Sequence, residues 1–236
     1  MLANTWETRL RAAGSPEKAH ANAWFFKTGP GEYGEGDRFL GLTVPQVRLF
    51  AGEAKDLSLK DLEKLLKSPW HEIRLFALIV LTNRAKRFKT DVERIALAEW
   101  LFARRATINN WDLVDTSIPT LFGGWKPSVS WKQRITKLLY APSLWDRRMA
   151  ILTTFGWMKL GDLDTCFEYA EATFTDKQDL MHKAVGWMLR ETGKRDSERM
   201  RAFVEKQAQN MPRTTLRYAI EHWSKMDRLR VMKKKS

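Results

Sequence analysis

The sequence lacks most features that mark secreted, metal-binding or membrane proteins. It has one cysteine, Cys166, so no disulfide can form within the chain, and its four histidines are not spaced as metal ligands. No apolar signal segment opens the chain, and its longest apolar run, residues 75–81, is too short to span a bilayer. We therefore expect a cytoplasmic protein with no metal, no cofactor and no membrane partner, and with Cys166 in the core.

Strand signals are also nearly absent. No sustained alternation of apolar and polar residues occurs, and no Asn-Gly or Asp-Gly pair marks a hairpin turn. Helical stretches alternate instead with short breaks rich in serine, proline and glycine. Ser15 before Pro16, and Thr43 shortly before Pro45, have the pattern of helix N-caps with a proline at the helix start. These patterns predict an all-α protein.

Acidic residues are scarce relative to basic ones. The chain has 28 Asp and Glu against 41 Lys and Arg, which gives a net charge of +13. Residues 227–236 form a basic tail, but most of the excess is spread through the rest of the chain. Such an excess favours a polyanionic partner, most simply nucleic acid, with a membrane surface as the other candidate.

Similar apolar helices recur along the chain, and most of them open with a basic residue. One residue of each repeat falls at an equivalent position, 34 to 37 residues from the next: Arg74, Trp111, Arg148, Lys183 and Arg217. A period of this length with two helices per unit is typical of an α-solenoid, and neither the ankyrin nor the TPR pattern is present. The repeat therefore predicts one HEAT-like domain over residues 1–236, with less regular N-terminal helices in residues 1–35.

Equivalent positions of stacked helix pairs line one face of a solenoid, usually the concave face. The four basic residues of the repeat would then form a basic row suited to a phosphate backbone. The alternative is that each basic residue forms a salt bridge with a neighbouring repeat. Acidic residues do not recur with the same period, so the sequence favours a concave basic groove.

The segment 108–119 places a tryptophan beside two carboxylates. Trp111 and Asp115 are four residues apart and share a helix face, and Asp112 lies between them. A carboxylate beside an aromatic ring suits the stabilisation of a transient cation. The simpler interpretation is that Asp112 caps the first turn or forms a salt bridge there, Trp111 belongs to the core and Asp115 pairs with an arginine.

Tryptophan is abundant, with eleven residues, most of which we expect in the core. Trp187 is an exception, because it adjoins the basic row and follows Gly186, which would let a partner approach the helix backbone. Trp111 and Trp187 flanking a carboxylate could hold a flat or cationic substrate. The glycine-rich segment 29–36 is not a phosphate-binding loop, and we expect a flexible connection there.

Four segments resemble the AlkD-like DNA alkylation repair family: residues 39–48, 110–120, 145–152 and 183–191. The likeness covers roughly residues 36–225. It implies a HEAT-like protein that acts as a monofunctional DNA glycosylase on duplex DNA. Such enzymes remove positively charged N3- and N7-alkylated purines, and the family does not draw its target into a tight base pocket.

By this resemblance, Asp115 is the catalytic carboxylate, and Trp111 and Trp187 cradle the deoxyribose of the lesion. Arg148 looks like a contact to the DNA backbone beside them. The predicted DNA-binding set also includes Arg74, Arg147, Lys183, Arg190 and Arg217. We expect a monomer on DNA. Two other functions remain open: a non-catalytic HEAT-like protein that binds distorted or branched DNA, and a HEAT scaffold that binds an acidic protein.

Overall fold

The computed structural model describes residues 2–233, which form fourteen α-helices and one 3-10 turn. This part of the chain contains no strand, only an isolated bridge between Arg38 and Trp70. The prediction of an all-α protein is confirmed. None of the helices in residues 2–233 is long and apolar enough to cross a membrane. Lys234 and Lys235 of the predicted basic tail lie outside the described residues.

The chain divides into two compact units, Met1–Ser117 and Ile118–Ser236. The first unit contains α1 (Leu2–Ala12), α2 (Pro16–Phe25), α3 (Val44–Glu53), α4 (Leu59–Leu66), α5 (His71–Arg87), α6 (Asp91–Phe102), the 3-10 turn Arg105–Thr107 and the start of α7 (Trp111–Leu121). The second contains α8 (Val129–Leu138), α9 (Leu144–Met158), α10 (Asp164–Ala172), α11 (Asp179–Gly193), α12 (Ser197–Gln207), α13 (Arg213–Ala219) and α14 (Lys225–Lys233). The single HEAT-like domain stays a prediction.

The predicted N-caps are confirmed. The Ser15 hydroxyl accepts a hydrogen bond from the Lys18 amide, and Pro16 occupies the first position of α2. Thr43 and Gln46 form a reciprocal capping box at the start of α3. Hydroxyl caps also open α4, α6, α8 and α9, at Ser58, Thr90, Ser128 and Ser143. Helix boundaries are therefore encoded locally.

The central helix of the first unit is α5, on which α3 and α4 pack. Every residue from 71 to 82 is buried, so the helix has no solvent face over its first three turns. This burial takes His71, Glu72 and Arg74 into the interior. Buried ionisable groups require partners there, and those partners form part of the site described below.

In the second unit, α11 packs against α9 and α13. A Cβ atom on Gly186 would lie 2.5 Å from Cβ of Tyr218 and 2.6 Å from the carbonyl oxygen of Thr215. Gly186 therefore makes room for α13, and not for a partner molecule as its position in the sequence had indicated. Cys166 is buried, as predicted.

Candidate functional site

Helix α7 carries two of the predicted site residues, Trp111 and Asp115. Both are half-buried and both line a cavity of about 520 Å³ in the first unit. Their shared helix face is thus confirmed. We call this space the aromatic cavity, and its wall includes three phenylalanines, a tryptophan and two aspartates: Phe25, Phe26, Phe39, Trp111, Asp112 and Asp115.

The indole of Trp111 is held by aromatic residues from the N-terminal part of the chain. The ring of Phe26 stacks on it, with centroids 5.1 Å apart and planes 19° apart, and Phe25 meets it edge-on at 6.1 Å. The indole N–H donates a hydrogen bond to the Tyr33 hydroxyl at 3.3 Å. The orientation of Trp111 is therefore set by a segment far from it in sequence.

The glycine-rich segment 29–36 forms a hydrogen-bonded series of turns. Its two carboxylates fold back on the segment, where Glu32 accepts from the Gly29 amide and Glu35 from the Gly31 amide, each at 2.9 Å. These carboxylates satisfy backbone donors inside the loop, while the expectation of a flexible connection stays a prediction. The segment presents Tyr33 to the indole.

A network of buried charges lies behind the aromatic cavity. His71 contacts two carboxylates, with Nδ1 3.1 Å from Oδ2 of Asp37 and Nε2 2.8 Å from Oδ2 of Asp112. Arg74 donates from Nη2 to Oδ1 of Asp37 at 2.6 Å. Asp37, His71, Arg74 and Asp112 form what we call the buried charge network, which ties the start of α7 to α5.

The buried charge network keeps His71 protonated at neutral pH. Burial alone would lower the pKa of His71, but the charges and hydrogen bonds of Asp112 and Asp37 outweigh it and raise the pKa to about 9. Burial would raise the pKa of Asp37, yet its hydrogen bond with His71 and the Arg74 charge leave that pKa below its usual value. The positive charges of His71 and Arg74 thus balance the negative charges of Asp37 and Asp112.

Asp112 lies in the first turn of α7 and pairs with His71, which agrees with the ion-pair form of the simpler sequence interpretation. The Trp111 amide donates to the side-chain oxygen of Asn110 at 2.8 Å. Asp112 is only 8% exposed and uses one oxygen on His71. Its other oxygen, Oδ1, accepts no hydrogen bond from any of residues 2–233. Sequence analysis missed this group because its partner lies 41 residues away.

Arg74 has the structural role that was weighed as the alternative for the basic row. Its guanidinium is buried, pairs with Asp37 and donates to the Ser68 carbonyl at 2.9 Å. We therefore leave Arg74 out of the DNA-binding surface proposed below. Residues 2–233 contain no group of His, Cys, Asp and Glu side chains that could hold a metal ion.

The arginine pair on α9 is also engaged within the second unit. Arg147 pairs with Asp176, with Nε 2.6 Å from Oδ2, and donates to the carbonyls of Ala141 and Pro142. Arg148 is only 4% exposed, and its guanidinium donates to the Leu180 carbonyl. Arg147 thus holds the loops that precede α9 and α11, and Arg148 bonds to the first turn of α11. The DNA contacts predicted for both residues stay predictions.

Helix α11 carries Lys183, Trp187 and Arg190. Lys183 pairs with Asp179 one turn earlier at 2.8 Å, and Arg190 pairs with Glu221. Trp187 is half-buried, with its ring centroid 6.0 Å from that of Phe155. The role predicted for Trp187 at a sugar stays a prediction.

Unlike these residues, Arg217 is exposed and opens onto a second cavity, of about 790 Å³. We call this space the basic cavity, because five cationic side chains line it: Arg190, Arg213, Arg217, Lys225 and Arg228. Within residues 2–233, Arg213, Arg217 and Lys225 form no ion pair. The repeat spacing identified Arg217 but missed Arg213, although it lies one turn earlier on the same helix.

Comparison with protein families identifies one family for this chain. A family model described as DNA alkylation repair enzyme matches residues 6–223. Among solved structures, the chain is similar to a predicted DNA alkylation repair enzyme from Enterococcus faecalis, with a TM-score of 0.64 and 18% identity. That match covers 90% of this chain and 97% of the other, and at this identity it shows the fold alone. No curated protein matches the chain.

Proposed function

Because the chain belongs to the DNA alkylation repair enzyme family, we propose that it is a monofunctional DNA glycosylase. Its substrates would be positively charged N3- and N7-alkylated purines in duplex DNA. The observation that carries the proposal is the pairing of an indole and a carboxylate, Trp111 and Asp115, one helical turn apart on the wall of one cavity.

The chemistry requires little more than such a pair. An N3- or N7-alkylpurine already carries a positive charge, so it leaves without being protonated by a general acid. Water oxygen bonds to C1′ as the C1′–N bond breaks, the base departs as a neutral molecule, and the water proton passes to Asp115 or to solvent. A carboxylate near C1′ stabilises the oxocarbenium-like sugar in between.

The aromatic residues complete the proposed active site. The indole of Trp111, held by Phe26 and Tyr33, presents a π face that attracts the developing cation. A fixed ring needs no reorganisation during the reaction, which favours the transition state. Trp187 is proposed as a second aromatic of the same kind, on the strength of the family resemblance.

The basic cavity is proposed as a surface for the DNA backbone. Arg213, Arg217 and Lys225 are exposed, and none of them forms an ion pair with another described residue. Cations of this kind release counterions from DNA when they contact phosphates, and they bind without regard to base sequence. We also propose that the protein acts as a monomer in the cytoplasm.

The experiment that tests the function is release of free 7-methylguanine from methylated duplex DNA. The wild type should release the base, and Asp115→Asn should lower the rate at least about 100-fold, the loss typical of removing one electrostatic stabiliser. Duplex binding by Asp115→Asn should be equal or tighter, because a carboxylate near phosphates opposes binding.

Asp91→Asn supplies the matched control, because Asp91 is an exposed carboxylate in the first turn of α6. Its release rate should equal that of the wild type. Full activity in Asp115→Asn would overturn the role of Asp115. Failure of the wild type to release any base, with duplex binding intact, would favour a non-catalytic protein that binds distorted or branched DNA.

A further inference from the structure

The glycine-rich segment 29–36 carries a tyrosine whose hydroxyl meets the indole of Trp111. We propose that Tyr33 is a positioning residue for base release. Its hydroxyl, by accepting a hydrogen bond from the indole N–H, sets the angle at which Trp111 faces the sugar of the lesion. The inference rests on the glycosylase function and gives segment 29–36 a role in that reaction, without any contact between Tyr33 and the DNA.

The contacts around the indole leave one rotation for Tyr33 to control. Phe26 stacks on the ring with centroids 5.1 Å apart and planes 19° apart, which fixes the tilt of the indole plane. Stacking does not single out one edge of the ring, because dispersion and quadrupole attraction act over its whole face. A hydrogen bond is directional. The 3.3 Å contact from Nε1 of Trp111 to the Tyr33 hydroxyl therefore selects the edge that points to segment 29–36.

The backbone on both sides of Tyr33 is tied down. The Gly34 amide donates to the Lys27 carbonyl just after α2, and the Asp37 amide donates to the Gly34 carbonyl, each at 3.0 Å. Asp37 belongs to the buried charge network. The Tyr33 hydroxyl also donates to the Phe25 carbonyl at 3.5 Å, so its oxygen is oriented to accept from the indole.

Glycine at position 34 is what allows this path of the backbone. A Cβ atom there would lie 2.3 Å from the Phe26 carbonyl oxygen and 3.0 Å from that of Lys27. Such distances exclude any side chain unless the backbone moves. Gly34 is buried, and it follows Tyr33 directly. The close approach of segment 29–36 to the end of α2 therefore carries the tyrosine to the indole.

The angle of the indole matters because its π face acts over a short range. A cation is attracted when it lies over the ring, within about 6 Å of the centroid. In the proposed reaction the sugar becomes cationic only as the C1′–N bond breaks. An indole that is already oriented needs no ordering at that moment. Loss of the Tyr33 hydrogen bond should thus slow base release and leave duplex binding unchanged.

A double-mutant cycle separates this role from a purely structural one. Tyr33→Phe removes only the hydroxyl and should lower the single-turnover rate of 7-methylguanine release about three- to ten-fold, the range that one neutral hydrogen bond accounts for. The dissociation constant for the duplex should not change. In a Trp111→Phe background the ring has no N–H, so the addition of Tyr33→Phe should cause no further loss. Tyr140→Phe, at an exposed tyrosine, is the matched control and should behave as the wild type.

An NMR spectrum tests the contact without any catalysis. The indole N–H of Trp111 is identified as the proton–nitrogen cross-peak that disappears in Trp111→Phe. Loss of a hydrogen bond moves such a proton upfield and speeds its exchange with deuterium. Tyr33→Phe should therefore shift this cross-peak upfield and shorten its lifetime in deuterated water, whereas Tyr140→Phe should leave both unchanged.

The two measurements distinguish failure of the contact from failure of the function. An unmoved cross-peak in Tyr33→Phe would overturn the proposal whatever the rates are. A shifted cross-peak with an unchanged rate, or equal losses of rate in both backgrounds, would overturn the positioning role and keep the glycosylase function. A wild type that releases no base would overturn the glycosylase function and this role within it, even where the cross-peak shift upholds the contact.

Discussion

The two cavities of this protein use charge in opposite ways. Beside the aromatic cavity of the first unit, the charges of Asp37, His71, Arg74 and Asp112 are buried and paired with one another. In the basic cavity of the second unit, Arg213, Arg217 and Lys225 are exposed, and none of them forms an ion pair with another of residues 2–233. Paired buried charges fix geometry, whereas exposed cations remain available to a polyanion.

This difference distinguishes two roles of basic residues, fixing the geometry of the interior and binding a polyanion, which the repeat spacing alone does not distinguish. The repeat spacing placed Arg74 and Arg217 in one basic row, as equivalent residues. In the structure, Arg74 is buried in the first unit, whereas Arg217 is exposed on the surface of the second. Positive charge at a repeat position is therefore not sufficient to identify a phosphate contact. The side chain must also be exposed and must not already be paired with a carboxylate.

The largest effect that we expect on stability is at the buried charge network. His71→Ala leaves the carboxylates of Asp37 and Asp112 without their shared cation, and removing one partner of a buried ion pair costs about 3–5 kcal/mol. Urea denaturation measures the loss in the free energy of unfolding. His20→Ala removes an exposed histidine of the same unit and should change little; a similar small change in His71→Ala would contradict a stabilising network.

A smaller effect is expected at the basic cavity. A double variant, Arg213→Ala with Arg217→Ala, should weaken duplex binding about ten-fold or more, equally for damaged and undamaged DNA. The slope of log K against log salt should fall by about two, since each phosphate contact contributes about 0.9. Lys60→Ala with Lys64→Ala, on the exposed side of α4, removes the same charge as a control. An unchanged slope in the arginine variant would show that these residues do not contact phosphates.

The smallest effect is a pH dependence of stability. The pKa of His71 is about 9 in the folded protein and near its usual value of 6.5 when unfolded. Its contribution is therefore fully present below about pH 6.5 and is lost as the pH rises through 9. The melting temperature of the wild type should fall by a few degrees over that range. In His71→Gln this fall should be smaller, and an equal fall in both proteins would exclude His71 as its source.

The sequence predicted what is encoded locally. The caps at Ser15 and Thr43, the all-α fold and the shared face of Trp111 and Asp115 each depend on residues within one or two turns. The buried charge network could not be predicted in this way, because Asp37 and Asp112 lie 34 and 41 residues from His71. Only the packing of α5 brings these groups together.

The same reason applies to the glycine-rich segment 29–36. Its composition indicates a flexible connection, but Gly34 within it lies against the C-cap of α2, where a Cβ atom would be 2.3 Å from the Phe26 carbonyl oxygen. The segment thus lies against the end of α2 and places Tyr33 on Trp111. No local pattern in the sequence predicts a tertiary contact of this kind.

One pair of measurements tests the division of tasks most directly: the single-turnover rate of 7-methylguanine release at saturating enzyme and the dissociation constant for the same duplex. Asp115→Asn should lower the rate at least about 100-fold without weakening binding. The Arg213→Ala, Arg217→Ala variant should weaken binding and leave the saturated rate unchanged. If both variants lowered the same quantity, the assignment of chemistry to one cavity and DNA binding to the other would be contradicted.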